Sequence, residues 1–194
     1  LPGDAFVFCC FNNGYKITPT LFDLWCDLLK AVDGSVLWLL GNEAEAQTRL
    51  RQEATSRGID AHRLVFARRE PRARHLARHT LADLFLDTLP YGAHTTASDA
   101  LRMGGVMITC QGNSFPARVG ASLLSAIGCQ DFIAHNLDQY RQLALDLARS
   151  PQGRAEARRR IQEGVQRSTL FDPVVFAQHL ETAYLGMLSA KGRC

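Results

Sequence analysis

The 194-residue sequence is short of several things, and each shortage removes a class of function. No apolar run approaches the roughly 18 residues that a membrane-spanning helix requires, so no membrane partner is expected. No segment has the charged, apolar and small-residue order of a signal peptide. No G-x-G-x-x-G follows the first apolar run, and no G-x-x-x-x-G-K-S/T spacing occurs, which argues against dinucleotide oxidoreductases and Walker-type phosphate loops. Gly104 and Gly105 fall at a helix-to-strand joint, the wrong end of a crossover for the first of these. Carboxylates do not cluster for a metal. Asp83 and Asp87 lie four apart around an apolar run, on one face by alternation, and fit the capping of a strand. The six cysteines (Cys9, Cys10, Cys26, Cys110, Cys129, Cys194) include no CxxC and no Cys/His pair at zinc-ligand spacing. They read as small buried thiols of a reducing, cytoplasmic compartment. A net charge of +3 is too small to argue for nucleic acid. Basic residues bunch at Arg68, Arg69, Arg72, Arg74 and Arg78 and again at Arg154, Arg158, Arg159 and Arg160, the second bunch reading as a solvated helix face.

What remains is an ordinary globular balance, 46% hydrophobic and 21% charged, long enough for one sizeable core. Short apolar runs rich in β-branched and aromatic residues predict strands at Ala5–Phe11, Ser35–Leu40, Arg63–Ala67, Ala82–Asp87 and Val106–Cys110, with a weaker one at Asp131–Ala134. Helical patterns alternate with them: Thr18–Val32, Glu43–Arg57 ending at Gly58, Pro71–Arg78, Thr95–Met103 and Ala117–Ile127. After Asn136 the pattern is helical only, at Leu137–Arg149, Gly153–Arg167 and Pro173–Leu188. Strands apolar throughout, alternating with helices, predict an α/β fold: a Rossmann-like, doubly wound parallel sheet over residues 1–135. Residues 136–194 form a helical tail packed on it, within one domain overall. The opening "LPGDAFVFCCF", without an initiator Met, is expected of a fragment or processed piece of a longer chain.

In such a sheet, ligands bind beyond the carboxyl ends of the strands. Two loops there carry the chemistry. "FNNGYKI", Phe11 to Ile17, combines Gly14, the hydrogen-bonding Asn12, Asn13 and Tyr15, and one isolated cation, Lys16. Backbone N–H groups and an ammonium could converge there on a phosphate, although an ordinary strand-to-helix turn would look similar. "YGAHTTASDA", Tyr91 to Ala100, leads into a helix whose first turn offers unpaired donors and partial positive charge. Thr95 and Thr96 add hydroxyls, which suits a diphosphate held without metal; either Thr could instead simply N-cap the helix. His94 and Asp99 are polar residues that a cap does not require, and Asp99 could accept from sugar hydroxyls. In "REPRARHLARH", His75 and Arg78 stand one helical turn apart and could hold a flat base between a ring and a guanidinium, or belong to a solvated basic helix.

Together "FNNGYKITP", "GSVLWLL", "HTLADLFLDTLPYGAHTTASDAL", "SFPARVGASLLSAIG" and "LFDPVVFAQHLETAYLGML" resemble the C-terminal half of the catalytic region of O-linked N-acetylglucosamine transferases, in the manner of a bacterial relative. The resemblance covers nearly the whole chain. It implies the C-terminal lobe of a GT-B fold and inverting transfer from UDP-GlcNAc to Ser or Thr hydroxyls of proteins, with no metal and no cofactor. By position it implies that Lys16 meets the pyrophosphate and is the catalytic cation, with Asn13 beside it where other members have Gln. It places His94, Thr95 and Thr96 on phosphate and sugar, Asp99 on the ribose hydroxyls, and Arg72 near the ribose where relatives carry Lys. His75 and Arg78 would receive the uracil, and Leu40 would lie beside the sugar. The His-Thr-Thr…Asp arrangement favours UDP-GlcNAc over the GDP-fucose of the related O-fucosyltransferase branch. In the family, acceptor-facing residues and any base lie in an N-terminal lobe with helical repeats, which this chain lacks. The alternatives are a UDP-sugar-binding fragment without turnover, or an O-fucosyltransferase-type member using GDP-fucose.

Overall fold

The computed structural model describes residues 1–41 and 43–191; Cys194 lies outside them. Six strands, β1 (Val7–Cys10), β2 (Val36–Leu40), β3 (Leu64–Ala67), β4 (Leu84–Leu86), β5 (Met107–Cys110) and β6 (Ile133–Ala134), form one sheet in the order β3-β2-β1-β4-β5-β6. Every pairing is parallel. The strands are apolar and mostly buried because helices cover both faces. The observed strands are shorter than the apolar runs that predict them, since the run ends turn into loops.

The main helices are α1 (Pro19–Ala31), α2 (Ala44–Ser56), α3 (Arg72–Arg78), α4 (Thr95–Arg102), α5 (Val119–Ala126), α6 (Leu137–Arg149), α7 (Pro151–Arg167) and α8 (Pro173–Lys191). Thr18 starts α1 by accepting from the Leu21 N–H, with Pro19 at the first helical position. That helix buries Leu21, Leu24, Trp25, Leu28 and Leu29, the stripe legible at period 3.6. It packs against α6, whereas α4 packs against α7. Tyr140, Leu145 and Ile161 belong to the same core as the strands, so α6 and α7 are continuous with the sheet.

The second arginine bunch is not simply solvated. Arg158 donates to the Ala82 carbonyl (3.1 Å), and Arg154 donates to Leu147 and Ala148 and lies 4.8 Å from the Phe6 ring. Arg159 and Arg160 form surface ion pairs with Glu156, Glu163 and Asp131, and Arg154 also lies 3.8 Å from Asp83. The seat of α7 is tight. A Cβ on Gly164 would stand 2.2 Å from the Ile127 carbonyl oxygen. Gly164→Ala is therefore expected to destabilise by about 3 kcal/mol, the upper range of overpacking, lowering Tm by about 6–12 °C for a domain of this size. A melting curve that does not move would mean α7 is not seated there.

The last helix is different. Val174, Phe176, Tyr184, Leu185, Met187 and Leu188 on α8 are all more than half exposed. Among the described residues, no helix is long and apolar enough to cross a membrane.

Candidate functional site

β1 and β4 are neighbours at the middle of the sheet, and the strand order reverses between them. At such a reversal, loops leaving the carboxyl ends of the two strands generally part toward opposite faces and leave a crevice for a ligand. These are the two loops singled out in the sequence.

In the first, a short turn over Gly14–Lys16 brings the lysine back toward the sheet. Lys16 Nζ donates to the Gly92 carbonyl (2.9 Å) and sits 4.1 Å from the centre of the Tyr91 ring. Partial burial draws its ammonium below the usual lysine range, opposed by the charges of Asp87 and Cys10. Asn13 is exposed, its carbonyl accepting from the Lys16 N–H (3.0 Å). The neighbouring Asn12 is buried; its amide donates to Thr88 Oγ1 (2.7 Å), and its side-chain oxygen accepts from the Thr96 hydroxyl.

The second loop is organised by Asp87. Its Oδ1 accepts from the backbone N–H groups of Thr88 (2.7 Å) and Ala93 (2.6 Å), and its Oδ2 accepts from the Thr109 hydroxyl (2.7 Å). Full burial raises this carboxyl to about 6, while the hydrogen bonds from Thr109, Ala93 and Thr88 and the charge of Lys16 hold it down. The packing leaves no room for side chains nearby: a Cβ on Gly120 would meet Asp87 Oδ2 at 2.6 Å, and one on Gly92 would meet the Pro116 carbonyl at 2.8 Å. Strand capping describes Asp83, which accepts from the Val7 N–H (2.8 Å), but understates Asp87. A carboxylate closing a fully apolar central strand, with a Thr after it and a Gly five residues on, was the available signal.

α4 starts with His94 at its N-cap position, and that side chain caps nothing. The Thr96 hydroxyl reaches across to Asn12 instead of capping its own helix. His94 stacks on Tyr91 (5.4 Å, 19°) and meets Phe115 edge-on; its buried Nε2 has no partner among the described residues. Arg72, His94, Thr95 and Asp99 line one cleft of about 350 Å³. Across it Arg72 approaches Asp99 at 3.9 Å, with the arginine exposed and the carboxylate largely covered. Tyr91, touching both Lys16 and His94, joins this cleft to the first loop.

His75 and Arg78 gather around a third ring. Both approach Phe11, at 5.7 and 5.6 Å. Arg78 is turned inward, donating to the Arg68 carbonyl (2.9 Å), and its buried Nη2 has no partner among the described residues. His79, which sequence reasoning passed over, completes the cluster at 5.0 Å from Phe11 and 5.2 Å from His75. Burial, followed by the neighbouring His75 and Arg78 charges, lowers His79 to about 4. Leu40 ends β2, half-buried. A larger cleft of about 870 Å³ lies at the opposite, amino-terminal ends of β1 and β4, beside Leu1, Asp4, Asp83 and Arg154, and holds none of these residues.

A family model for glycosyl transferase family 41 matches residues 1–180. The chain belongs to that family. It is 35% identical over 181 residues to a UDP-N-acetylglucosamine–peptide N-acetylglucosaminyltransferase of Caenorhabditis elegans, covering 93% of this chain and 16% of that protein. Among solved structures it matches an O-GlcNAc transferase mutant of Thermobaculum terrenum with a TM-score of 0.87 and 32% identity, over 95% of this chain and 36% of that one. The C-terminal CMP-Kdo binding domain of WaaA from Acinetobacter baumannii shares the fold at 9% identity, with a TM-score of 0.56 and 84% of this chain covered, 89% of that one. The family 41 chain thus spans about a sixth of the first relative and a third of the second. The family model covers both site loops and the helical segment after residue 136 as far as residue 180. Its fold is the Rossmann-like sheet of these glycosyltransferases, with a helical C-terminal segment.

Proposed function

We propose that this family 41 chain binds UDP-GlcNAc and forms the donor side of an inverting, metal-independent transferase acting on Ser and Thr hydroxyls of cytoplasmic proteins. The observation that carries this reading is the meeting of Lys16, Thr96 and the α4 amino terminus at the β1/β4 crevice. An ammonium, two hydroxyls and first-turn amides can together offset a diphosphate. The activity for which these relatives are named supports the choice of sugar.

In this reading Lys16 and Asn13 face the pyrophosphate, and His94, Thr95 and Thr96 hold phosphate and sugar. Asp99 and Arg72 take the ribose, His75 and Arg78 the uracil, and Leu40 flanks the sugar. The bond from the anomeric carbon to the diphosphate breaks as the acceptor oxygen attacks from the opposite side. The hydroxyl proton leaves to a base contributed from outside the residues assigned to donor binding.

Calorimetry with UDP, UDP-GlcNAc, GDP and GDP-fucose tests the donor. The uridine ligands are expected to bind at least about tenfold more tightly, a difference of about 1.4 kcal/mol; equal affinities would overturn the assignment. Binding is also expected to survive EDTA, because the chain's own donors face the phosphates. Its abolition by EDTA and restoration by a divalent ion would defeat metal independence. A second reading, donor binding without turnover, is favoured by the share of the solved enzyme that this chain covers. Glycosyl transfer by this chain alone to a Ser-containing peptide would exclude it.

A further inference from the structure

Asp87 is an odd group to find beneath a site for a diphosphate. It is a fully buried carboxylate, and its direct field on a bound anion is repulsive. The hydrogen bonds to its Oδ1 nonetheless run to parts that would face the donor. Oδ1 gathers the N–H groups of Thr88 and Ala93, closing the loop that ends at His94 and leads into α4. Thr88 then donates to the Tyr91 carbonyl (2.7 Å) and accepts from Asn12, which accepts from Thr96. The Gly92 carbonyl inside the same loop receives Lys16. From below, the Thr109 hydroxyl and the close approach of Gly120 fix the carboxylate, and Tyr140 holds its backbone carbonyl (2.9 Å).

We propose that Asp87 is the positioning residue of the diphosphate site, its ionised carboxylate holding the Gly92–His94 turn, Thr96 and the Lys16 ammonium where the phosphates arrive. This rests on the donor-binding reading above. Hydrogen bonds to an ionised acceptor are about twice as strong as neutral ones, so the charge sets how firmly the turn is held. Titratable groups from each surrounding element face it: Lys16 after β1, Cys10 on β1, Cys110 on β5 and Tyr140 on α6. Of these, Lys16 supplies the compensating positive charge.

Asp87→Asn separates charge from shape. The amide oxygen can still accept from Thr88 and Ala93, and the Thr109 hydroxyl can turn to accept from the amide nitrogen. Simple repulsion predicts tighter donor binding in this variant; positioning predicts weaker binding. The 194-residue chain is titrated with UDP-GlcNAc, whose phosphates are both diesters and lack the monoester ionisation near about pH 6. Circular dichroism checks folding. At pH 8, Asp87→Asn is expected to weaken binding about tenfold. Affinity of the unsubstituted chain should fall as pH drops through about 6, and Asp87→Asn should lack that step. Protonation elsewhere in the site is common to both proteins and cancels in the ratio. Thr109→Val, which removes one bond to the ionised form, should move the step to higher pH; it decides the matter if Asp87→Asn does not fold. Affinity of Asp87→Asn within twofold of the parent or tighter, or a step that Thr109→Val leaves in place, overturns the proposal alone. No UDP-GlcNAc binding by the unsubstituted chain overturns the donor reading and the proposal with it.

Discussion

Lys16→Ala is expected to lower kcat for sugar transfer from UDP-GlcNAc by roughly 10²–10³, the usual cost of losing one charge stabiliser aimed at a transition state. The lysine is already delivered: its ammonium sits between the Gly92 carbonyl and the Tyr91 ring, beside the start of α4. As the glycosyl bond breaks, negative charge grows on the departing diphosphate. A cation there then gains more in the transition state than in the bound donor. KM for the donor should change less than kcat. Lys16→Arg should recover little, because a planar fork cannot take the place of a compact ammonium against that carbonyl and ring. Asp99→Asn should instead raise KM, since ribose contacts change little during the reaction. Steady-state kinetics of the three variants, in a preparation competent for turnover, provide the check. Near-normal kcat with only a raised KM for Lys16→Ala would reduce the residue to a binding group.

The second large effect concerns stability, and it runs opposite to function. Asp87 is raised from 3.8 to about 6 in the folded chain. Below pH 3.8 it is protonated in both states and does not distinguish them. Between 3.8 and about 6 the unfolded chain releases the proton while the fold retains it, so this group erodes stability as pH rises. Above about 6 the loss is complete: about two pH units at about 1.4 kcal/mol each, or about 3 kcal/mol. Asp87→Asn carries no such loss. Its Tm should match that of the parent near pH 4 and exceed it by about 6–12 °C at neutral pH. A Tm difference that stays constant from pH 4 to 7 would show that Asp87 ionises in the fold as it does in water. A variant more stable yet poorer at holding its donor is the pattern of a site that keeps a buried charge for positioning.

The architecture was legible because the signals were local. Runs such as "VLWLL" and "LFL" are short, apolar and separated by amphipathic stretches, so strand identity and parallel pairing follow from period and length. The two loops were legible by position, since each follows a strand and carries Gly with polar residues. The missing parts depend on partners distant in sequence. Asn12 looks like one more polar loop residue until β4 lies beside β1 and Thr88 and Thr96 arrive. Asp87 looks like a strand cap until the chain returns through Ala93 and Thr109. Arg78, Arg154 and Arg158 sit in basic runs that suggest solvent, yet each finds a backbone carbonyl of the fold, which a charge count along the chain does not show.

The crevice between β1 and β4 also has a place in time. Its contacts join residues 75 to 84 positions apart: Asn12 to Asp87, Lys16 to Gly92, Asn12 to Thr96. β2 and β3 lie between them in sequence but outside them in the sheet. A nascent chain can therefore pair β1, β2 and β3 and still have no site, because the far wall has not been made. The wall comes only with β4, and its rear support, Thr109 and Gly120, only with β5 and α5. On the donor-binding reading, affinity is therefore a late event of synthesis, complete only after the chain has crossed the sheet and laid down β5 and α5. Hydrogen exchange on the finished protein should show the same seam, with a bound donor slowing exchange most along β1 and β4.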